Sequence, residues 1–447
     1  MLDMANVTRA HCVGIGGIHV SAVARLLKAR GISVTGSDAV ASEETRLLEK
    51  QGTVVTIGHK TDNVPPDANI VVYSHALPDD NPELVEARKR GVPVYDTHAF
   101  LGELFTNAKQ IVVTGTHGKS TTTAMIGTIL IAAGENPTVV VGTKVSGFSD
   151  GNLHVGRDDL LVVEGDEYRS HVLAYAPTVL VLNNMELDHT DIFPTFEAYA
   201  AMFGQAIDRV RNKGAVVWNQ NDAGLAKLLE DRTSKLESRT ISSVPVRRAY
   251  DQALGVPGEM NAQNAAMAAA ACGAWKPSLA SLEMTNASSI VSKALADFPG
   301  AWRRFERVGD YNGAPVISDY GHHPTEVRET LKAARDAFPD KRLVLCFQPH
   351  QRNRTKHLFD DFVEALKTAD ALVLTEIYDV PGREEEEDRD MTSEKLLEAI
   401  GLGGVRSYAA RLEDAEAQLR KIVTPGDVVI VMGAGTIDQV ARRLVRP

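Results

Sequence analysis

The chain has 447 residues, which is long for one hydrophobic core and predicts two or three domains. An apolar fraction of 44% and a charged fraction of 24% are ordinary for a globular protein, and the net charge of −11 argues against a general nucleic-acid or anionic-membrane binder. The three cysteines support neither a disulfide framework nor a zinc site, and without a signal peptide or an apolar stretch of about 18 residues we expect a cytoplasmic protein with no membrane contacts.

Strand-like apolar segments alternate with helical segments almost throughout the chain, which predicts parallel α/β sheets. The first block is predicted to contain strands over 10–13, 32–35, 69–73 and 92–95, with a helix over 20–29. The second block contains predicted strands over 110–113, 160–163 and 178–182, and an alanine-rich helix over 265–271. The third block, from about Phe305, contains predicted strands over 316–318, 343–347, 371–374 and 428–431.

A glycine turn, Gly14-Ile15-Gly16-Gly17, connects the first predicted strand to the first predicted helix, as in sites that bind nucleotide phosphates. It departs from the dinucleotide pattern GxGxxG, because the third glycine would fall at His19. The second strand ends in Gly36-Ser37-Asp38, where an acid could contact a ribose or a base. The turn therefore predicts a nucleotide-type ligand, with a plain tight turn as the alternative.

The most informative segment is Gly115-Thr116-His117-Gly118-Lys119-Ser120-Thr121-Thr122-Thr123, which lies between a predicted strand and a predicted helix over 124–133. This order predicts a phosphate cradle, in which backbone N–H groups face the phosphates, Lys119 reaches the outer ones and Ser120 ligates magnesium. Val113 replaces the first glycine of the GxxxxGK pattern, so the loop is a variant. We predict ATP binding here, with an ordinary strand–helix turn as the alternative.

Two later segments of the second block carry polar residues suited to the same site. Glu164 ends a predicted strand, with Asp166 and Glu167 just beyond, and a carboxylate beside a phosphate loop is a candidate magnesium ligand. The next strand leads to Asp188 and His189, where His189 is either a cation ligand or a hydrogen-bonded loop histidine. At a predicted helix start, Asn261 and Asn264 are candidates for contacting the nucleotide or for capping the helix.

These motifs resemble the Mur ligases, which add amino acids to the UDP-linked peptidoglycan precursor. The resemblance covers nearly the whole chain, because the motifs occur in the family order: 115–123, Glu164, Asp188-His189, Asn261 and Asn264, Arg303-Arg304-Phe305, and Asp319-Tyr320-Gly321-His322-His323-Pro324. The alanine-adding members look most similar, on segments 14–17, 36–38, 72–74, 81–84, 347–350 and 433–437. The nearest rival is the recycling member that attaches a ready-made tripeptide to the same UDP-sugar acid.

The resemblance implies an α/β fold with the three-domain Mur ligase architecture. It implies a Rossmann-like UDP-sugar-binding domain over 1–108, a central P-loop ATPase domain over 109–304 and a Rossmann-like amino-acid-binding domain over 305–447. The implied reaction is ATP-dependent joining of L-alanine to the carboxylate of UDP-N-acetylmuramate through an acyl phosphate. ATP and Mg²⁺ are the implied cofactors, and we expect a monomer or a homodimer.

The resemblance also implies roles for individual residues. The expected catalytic residues are Lys119, Glu164, His189, Arg304 and Asp319, and the expected metal ligands are Ser120, Glu164 and His189. The expected ATP contacts are Gly115, Thr116, His117, Gly118, Lys119, Ser120, Thr121, Asn261, Asn264, Arg304 and Asp319. The expected UDP-sugar contacts are Gly14, Gly16, Gly17, Ser37, Asp38 and Ser74, and the expected amino-acid contacts are Tyr320, His322, His350 and Arg354.

Three features bear on the choice within the family. Most other amino-acid-adding members carry a carbamylated lysine after the Asp-His pair, and the absence of lysine from 190 to 210 favours the alanine-adding type. Gln351 stands where that type usually has the first arginine of His-Arg-x-x-Arg-Thr, which weakens the assignment of alanine as the substrate. Segments 183–189 and 191–193 resemble the recycling ligase more closely. A nucleotide-sugar-binding relative without turnover is a further alternative.

Overall fold

The computed structural model describes residues 4–189, 192–280, 290–379, 388–401 and 404–446, so Asp191 lies outside the described residues. The chain divides into two compact units, Met1–Ala253 with Asn264–Phe298, and Leu254–Gln263 with Pro299–Pro447. The first unit contains two sheets and the second unit contains one. The predicted α/β class is confirmed, with one sheet in each of the three predicted ranges. Among the described helices, none combines the length and apolar character that a membrane crossing requires.

The first sheet is parallel throughout, with the strand order β3-β2-β1-β4-β5. Its order changes direction beside β1, and ligands of open α/β sheets bind where the order reverses. The strands are β1 (Arg9–Val13), β2 (Ser33–Asp38), β3 (Val54–Ile57), β4 (Ile70–Tyr73) and β5 (Val94–Asp96). The helices are α1 (Ile18–Ala29), α2 (Glu43–Lys50), α3 (Pro82–Lys89) and α4 (Thr97–Leu104), with 3-10 turns at Met4–Asn6 and Thr61–Asn63.

The second sheet has seven strands in the order β12-β11-β10-β6-β9-β7-β8, and only β8 is antiparallel to its neighbour. The strands are β6 (Lys109–Thr114), β7 (Pro137–Val140), β8 (Leu153–His154), β9 (Arg157–Glu164), β10 (Val179–Leu182), β11 (Ala215–Asn219) and β12 (Ser242–Val246). The helices are α5 (Lys119–Ala132), α6 (Phe196–Asp208), α7 (Ala223–Glu230), α8 (Thr233–Ser238), α9 (Glu259–Trp275), α10 (Pro277–Ala280) and α11 (Ile290–Ala296), with a 3-10 segment at Tyr168–Ala174.

The third sheet has the order β13-β14-β18-β15-β16-β17, and only β13 is antiparallel to its neighbour. The strands are β13 (Glu306–Tyr311), β14 (Ala314–Asp319), β15 (Arg342–Phe347), β16 (Ala371–Thr375), β17 (Val405–Ala409) and β18 (Asp427–Met432). The helices are α12 (Pro324–Ala337), α13 (Arg352–His357), α14 (Phe359–Leu366), α15 (Ser393–Ile400), α16 (Leu412–Ile422) and α17 (Asp438–Leu444).

Several inner strands, such as β6, β9 and β10, are buried apolar runs that the sequence predicts, whereas the buried inner strands β7 and β11 were not predicted. In β6, β9 and β10 the apolar side chains are almost fully inaccessible to solvent. One hydrophobic cluster includes apolar residues of both the first and the second sheet, a smaller cluster lies on the first sheet alone, and the third sheet has its own clusters. A shared core explains why the first two sheets belong to one compact unit. The predicted boundary between residues 108 and 109 remains a prediction.

All three helices with a predicted range begin earlier than the sequence predicts, α1 by only two residues, at Ile18. The helix expected over 124–133 begins at Lys119, because Gly118 takes a left-handed backbone conformation and ends the preceding loop. The alanine-rich helix expected over 265–271 covers Glu259–Trp275. Asn261 and Asn264 therefore lie inside α9, and the interpretation of either residue as its N-cap is wrong.

Candidate active site

The loop Gly115-Thr116-His117-Gly118 connects β6 to α5, at the predicted phosphate cradle. Gly118 has a φ of 78° and is the N-cap of α5, with no side chain capping the helix. The first N–H groups of a helix lack intrahelical acceptors and carry the positive end of the helix dipole. Ser120 and Thr121 occupy the first turn and are buried. This end of α5 is therefore suited to receive the phosphate oxygens of a nucleotide.

Asparagine side chains hold this loop closely. A Cβ atom at Gly118 would collide with Asn264 Oδ1. Only glycine therefore fits at this position of the loop. Thr122 Oγ1 donates a hydrogen bond to the same Asn264 oxygen over 3.3 Å, and Asn183 Nδ2 donates to Thr122 Oγ1 over 3.0 Å. The backbone N–H of His117 donates to Asn184 Oδ1 over 2.7 Å. The predicted nucleotide contact Asn264 is thus placed beside the cradle, together with two asparagines that were not predicted.

The Lys119 ammonium group lies across the loop. Its Nζ donates hydrogen bonds to the carbonyl oxygens of Gly115 (2.8 Å) and Thr116 (3.1 Å) and lies 2.8 Å from Glu167 Oε2. Burial disfavours the charged lysine, but the carboxylates of Glu167, Asp166 and Glu164 outweigh burial and raise the pKa of Lys119 to about 12. Lys119 is therefore a fixed positive charge at the cradle.

Ser120 and Glu164 form the first of two oxygen-rich pairings beside the loop. Ser120 Oγ donates to Glu164 Oε1 over 3.0 Å, and Gly142 N donates to Glu164 Oε2 over 2.7 Å. Glu164 is the last residue of β9, which pairs with β6 immediately before the loop. The predicted ligands Ser120 and Glu164 therefore lie together, and their oxygens are of the kind that Mg²⁺ prefers.

The third predicted ligand, His189, lies in a group with Asp166 and Glu167. Ligand atoms of these three residues lie within 4.8 Å of one another, and His189 Nε2 is 3.3 Å from Glu167 Oε1. His189 has a φ of 54°. Burial lowers the pKa of His189, but Asp188 and Glu167 outweigh burial and raise it. Glu167 contacts both His189 and Lys119, so it is the shared carboxylate of the site.

The predicted UDP-sugar contacts meet at the carboxyl ends of β1, β2 and β4. Gly14 has a φ of 76°, and its N–H donates to the Ser37 carbonyl oxygen over 2.8 Å. Gly16 N donates to Asp38 Oδ2 over 2.8 Å, while Gly17 caps α1. Ser74 follows β4, and its N–H donates a hydrogen bond to the Val13 carbonyl oxygen over 3.1 Å. These residues form one turn with an acid beside it, at the point where the strand order reverses.

The Ser37 hydroxyl points away from solvent toward a buried carboxylate. Ser37 Oγ donates to Glu83 Oε2 over 2.6 Å. Glu83 Oε2 also lies 2.8 Å from His11 Nε2. Burial disfavours ionised Glu83, but hydrogen bonds from His11, Ser37, Asn63 and His59 outweigh burial and lower its pKa to about 2. Glu83 therefore links the middle of β1 to the end of β2, a contact that the sequence did not reveal because Glu83 is distant along the chain.

In the second unit, the predicted nucleotide contacts Arg304 and Asp319 lie near each other. Asp319 Oδ2 accepts from Phe305 N over 2.8 Å, and its Oδ1 accepts from Gly321 N over 2.7 Å. Burial raises the pKa of Asp319, although the charge of Arg304 opposes this. Arg304 stacks over the Tyr320 ring at 5.2 Å. Asn261, in the same unit, donates to the Pro257 carbonyl oxygen over 2.6 Å.

The predicted amino-acid contacts form an aromatic and cationic group after β14 and β15. The ring of His322 lies 5.5 Å from that of Tyr320 and 5.6 Å from that of His350. Arg354 is buried, and its guanidinium lies 3.2 Å from His350 Nδ1. Tyr378, which the sequence analysis did not select, stacks on His350 at 5.7 Å. The structure therefore brings all four predicted residues into one group.

Arg352 is oriented toward carboxylates. Its Nε donates to Asp379 Oδ2 over 2.8 Å, and a terminal nitrogen donates to Glu376 Oε1 over 3.2 Å. Gln351 takes a φ of 66°, and its N–H donates to Tyr378 O over 2.9 Å. The unusual Gln351 therefore contributes its backbone to a turn. The charge of Arg352 is already compensated within the protein.

Three family models match the chain. They are described as "Mur ligase family, catalytic domain", over residues 9–109, "Mur ligase middle domain", over 113–272, and "Mur ligase, glutamate ligase domain", over 303–435. Together these matches span most of the sequence and include all three sheets.

Similar proteins were found by sequence and by structure. The UDP-N-acetylmuramate–L-alanine ligase of Aquifex aeolicus is 35% identical, covering 97% of this chain and 96% of its own. The protein of the same name from Salinibacter ruber is 36% identical, and the match covers 99% of this chain and 95% of that protein. The crystal structure of UDP-N-acetylmuramate-alanine ligase from Thermotoga maritima has a TM-score of 0.77 at 28% identity, covering 98% of each chain. A murein peptide ligase from Psychrobacter arcticus has a TM-score of 0.70 at 22% identity, covering 98% of each chain, a likeness of fold.

Proposed function

The chain belongs to the Mur ligase family, and we propose that it joins L-alanine to the carboxylate of UDP-N-acetylmuramate, with ATP as the phosphoryl donor. The observation that carries the proposal is the contact of Lys119 and His189 with one carboxylate, Glu167, beside the phosphate loop. Relatives that match almost end to end and bear the name of this activity support the choice of substrates. We place the reaction in the cytoplasm, as a step of peptidoglycan precursor synthesis.

The reaction we propose has two steps. The muramate carboxylate oxygen attacks the γ-phosphorus of ATP, which gives an acyl phosphate and ADP. The alanine amine then attacks the acyl carbon, inorganic phosphate leaves, and the amine loses a proton. Phosphoryl transfer depends mainly on positioning and charge stabilisation, so the fixed charge of Lys119 and the helix end at Gly118 are the groups suited to the first step.

Magnesium fits the residues beside the loop, because they offer the hard oxygen ligands that this ion prefers. Ser120 Oγ, Glu164 and the group formed by Asp166, Glu167 and His189 are the residues that would hold it. When bound, Mg²⁺ would neutralise phosphate charge. Arg304 and Asp319 are proposed nucleotide contacts, while Arg354 and His350 are proposed to bind the alanine carboxylate.

The test is phosphate release from ATP in the presence of UDP-N-acetylmuramate, measured with L-alanine and separately with L-Ala-γ-D-Glu-diaminopimelate. We expect release with L-alanine and formation of UDP-N-acetylmuramoyl-L-alanine. Release with the tripeptide alone would assign the chain to the recycling activity. Absence of release with either amine, and with glycine or serine, would contradict a ligase and favour a nucleotide-sugar-binding relative.

A further inference from the structure

Four histidine rings pack against one another in the first unit, apart from the residues assigned to the reaction. His19 lies in the first turn of α1, His75 follows β4, His98 lies in α4 and His171 lies in the 3-10 segment. The ring centroids are 5.0 Å apart for His19 and His98, 4.6 Å for His98 and His171, and 4.0 Å for His171 and His75. We call these four residues, with Asp96, the histidine cluster.

The cluster contains buried ring nitrogens that have no hydrogen-bond partner among the described residues. His171 is 9% exposed, and within the described part of the chain neither of its ring nitrogens has a partner. The same holds there for the buried Nε2 of His19. By contrast, His98 Nδ1 lies 2.9 Å from the Tyr175 hydroxyl. Buried polar atoms of native proteins nearly always have a hydrogen-bond partner. The ring nitrogens of His171 therefore indicate a bound ligand that interacts with them.

Three members of the cluster can reach a common metal ion. His75 Nε2 is 3.2 Å from Asp96 Oδ1, and ligand atoms of His75, Asp96 and His171 all lie within 4.8 Å of one another. Two ligands at zinc distances of about 2.0–2.1 Å in a tetrahedral arrangement are about 3.3 Å apart. The separation of His75 and Asp96 already matches this value, and a ligand nitrogen of His171 lies within 4.8 Å of both.

Other residues hold the cluster in a form suited to metal binding. Asp96 Oδ1 accepts hydrogen bonds from the N–H groups of His98 and Ala99, each over 2.9 Å, which fixes the carboxylate. Burial lowers the pKa of His171 to about 4, with the charge of His75 adding to the effect. Burial therefore favours the neutral imidazole, which is the form that binds metals.

We propose that His75, Asp96 and His171 form a binding site for a divalent transition-metal ion, with Zn²⁺ as the representative ion. Imidazole nitrogens favour zinc-like ions over Mg²⁺, and two histidines with one carboxylate leave a coordination position open. The site would connect segments that match two different family models, because His75 and Asp96 lie within 9–109 and His171 lies within 113–272. A bound ion would therefore stabilise the first unit across its two sheets.

The experiment measures Zn²⁺ and Co²⁺ binding to the full-length chain by equilibrium dialysis, in a large excess of Mg²⁺ that occupies the oxygen-rich group at Asp166 and Glu167. The variants are His75→Ala and His171→Ala. Two other histidine variants serve as controls. His154→Ala removes an imidazole that is hydrogen-bonded to Asn136, and His189→Ala removes the histidine of the proposed magnesium group. The melting temperature of each protein is recorded with and without Zn²⁺.

We expect one tightly bound ion per wild-type chain and a Zn²⁺-dependent rise in melting temperature. His75→Ala and His171→Ala should raise the Kd for Zn²⁺ by about a hundredfold and abolish that rise, whereas both controls should bind as wild type does. If His171→Ala does not fold, the more exposed His75 decides the question. The proposal is overturned if wild type binds no Zn²⁺ under these conditions, or if His75→Ala binds it unchanged.

Discussion

The phosphate loop and the segment that begins α13 both present cations, but the protein holds these cations in different ways. Lys119 contacts Glu167, a carboxylate that also contacts His189 and so belongs to the candidate reaction site. Arg352 is compensated by Glu376 and Asp379, which lie outside the predicted contacts. We therefore expect Lys119, whose acidic partner belongs to the candidate site, to act on the ligand, and we expect the compensated Arg352 to contribute little.

The largest expected effect comes from removing the cation of the phosphate loop. Lys119→Ala should lower kcat for acyl-phosphate formation by about 1000-fold, because Lys119 is a fixed positive charge at the proposed site of phosphoryl transfer. Lys227→Ala, an exposed lysine of the same unit, is the matched control and should leave kcat unchanged. A Lys119→Ala protein that retains a tenth of wild-type turnover would refute the phosphate-loop assignment.

The next prediction separates the two carboxylates beside the loop. Glu167→Gln should lower kcat by about 100-fold, because Glu167 contacts both Lys119 and His189. Glu164→Gln should lower kcat by only about tenfold, since Glu164 bonds to Ser120 and to a backbone N–H. Steady-state kinetics at several Mg²⁺ concentrations make the comparison. Equal losses of kcat, or a larger loss in Glu164→Gln, would show that Glu164 is at least as important for Mg²⁺ as Glu167.

A pair of arginine variants tests the segment that begins α13. Arg354→Ala should raise KM for L-alanine about ten- to a hundredfold, since a charge-assisted hydrogen bond contributes roughly 1.5–3 kcal/mol. Arg352→Ala should change that KM by less than about threefold, because two carboxylates already compensate Arg352. The KM for ATP serves as the internal control for both variants. A larger effect from Arg352 would show that its charge is available to the substrate.

The smallest expected effect concerns the glycine turn of the first sheet. A Cβ atom at Gly16 would lie 2.9 Å from Ser42 Oγ and 3.0 Å from Asp38 Oδ2, so Gly16→Val should raise KM for UDP-N-acetylmuramate roughly tenfold. Gly426→Ala is the control, because a Cβ atom there meets nothing within 4 Å. The KM for ATP should stay near the wild-type value. Equal damage to both substrates would indicate misfolding.

The sequence alone predicted the α/β class, the strand–loop–helix order around residues 115–123 and most of the inner strands. These features are local: buried strands such as β6 and β10 are continuous apolar runs, and the loop is one contiguous motif between a strand and a helix. The edge strands β3, β12 and β17 were missed, and so were the buried inner strands β7 and β11 of the second sheet, whereas the edge strand β5 was predicted. β3 is only four residues long, and β12 and β17 mix polar with apolar residues, so none of the three missed edge strands has the long apolar run that marks a buried strand.

Only the tertiary structure decided which side chains meet. Glu167 was visible beside Glu164 in the sequence, but its contact with His189 depends on the pairing of β6 with β9 and β10. The compensation of Arg352 was equally hidden, because Glu376 and Asp379 follow a different strand. The histidine cluster unites residues that are up to 152 positions apart, from His19 to His171. Sequence spacing determines local periodicity, whereas such contacts depend on strand order and packing.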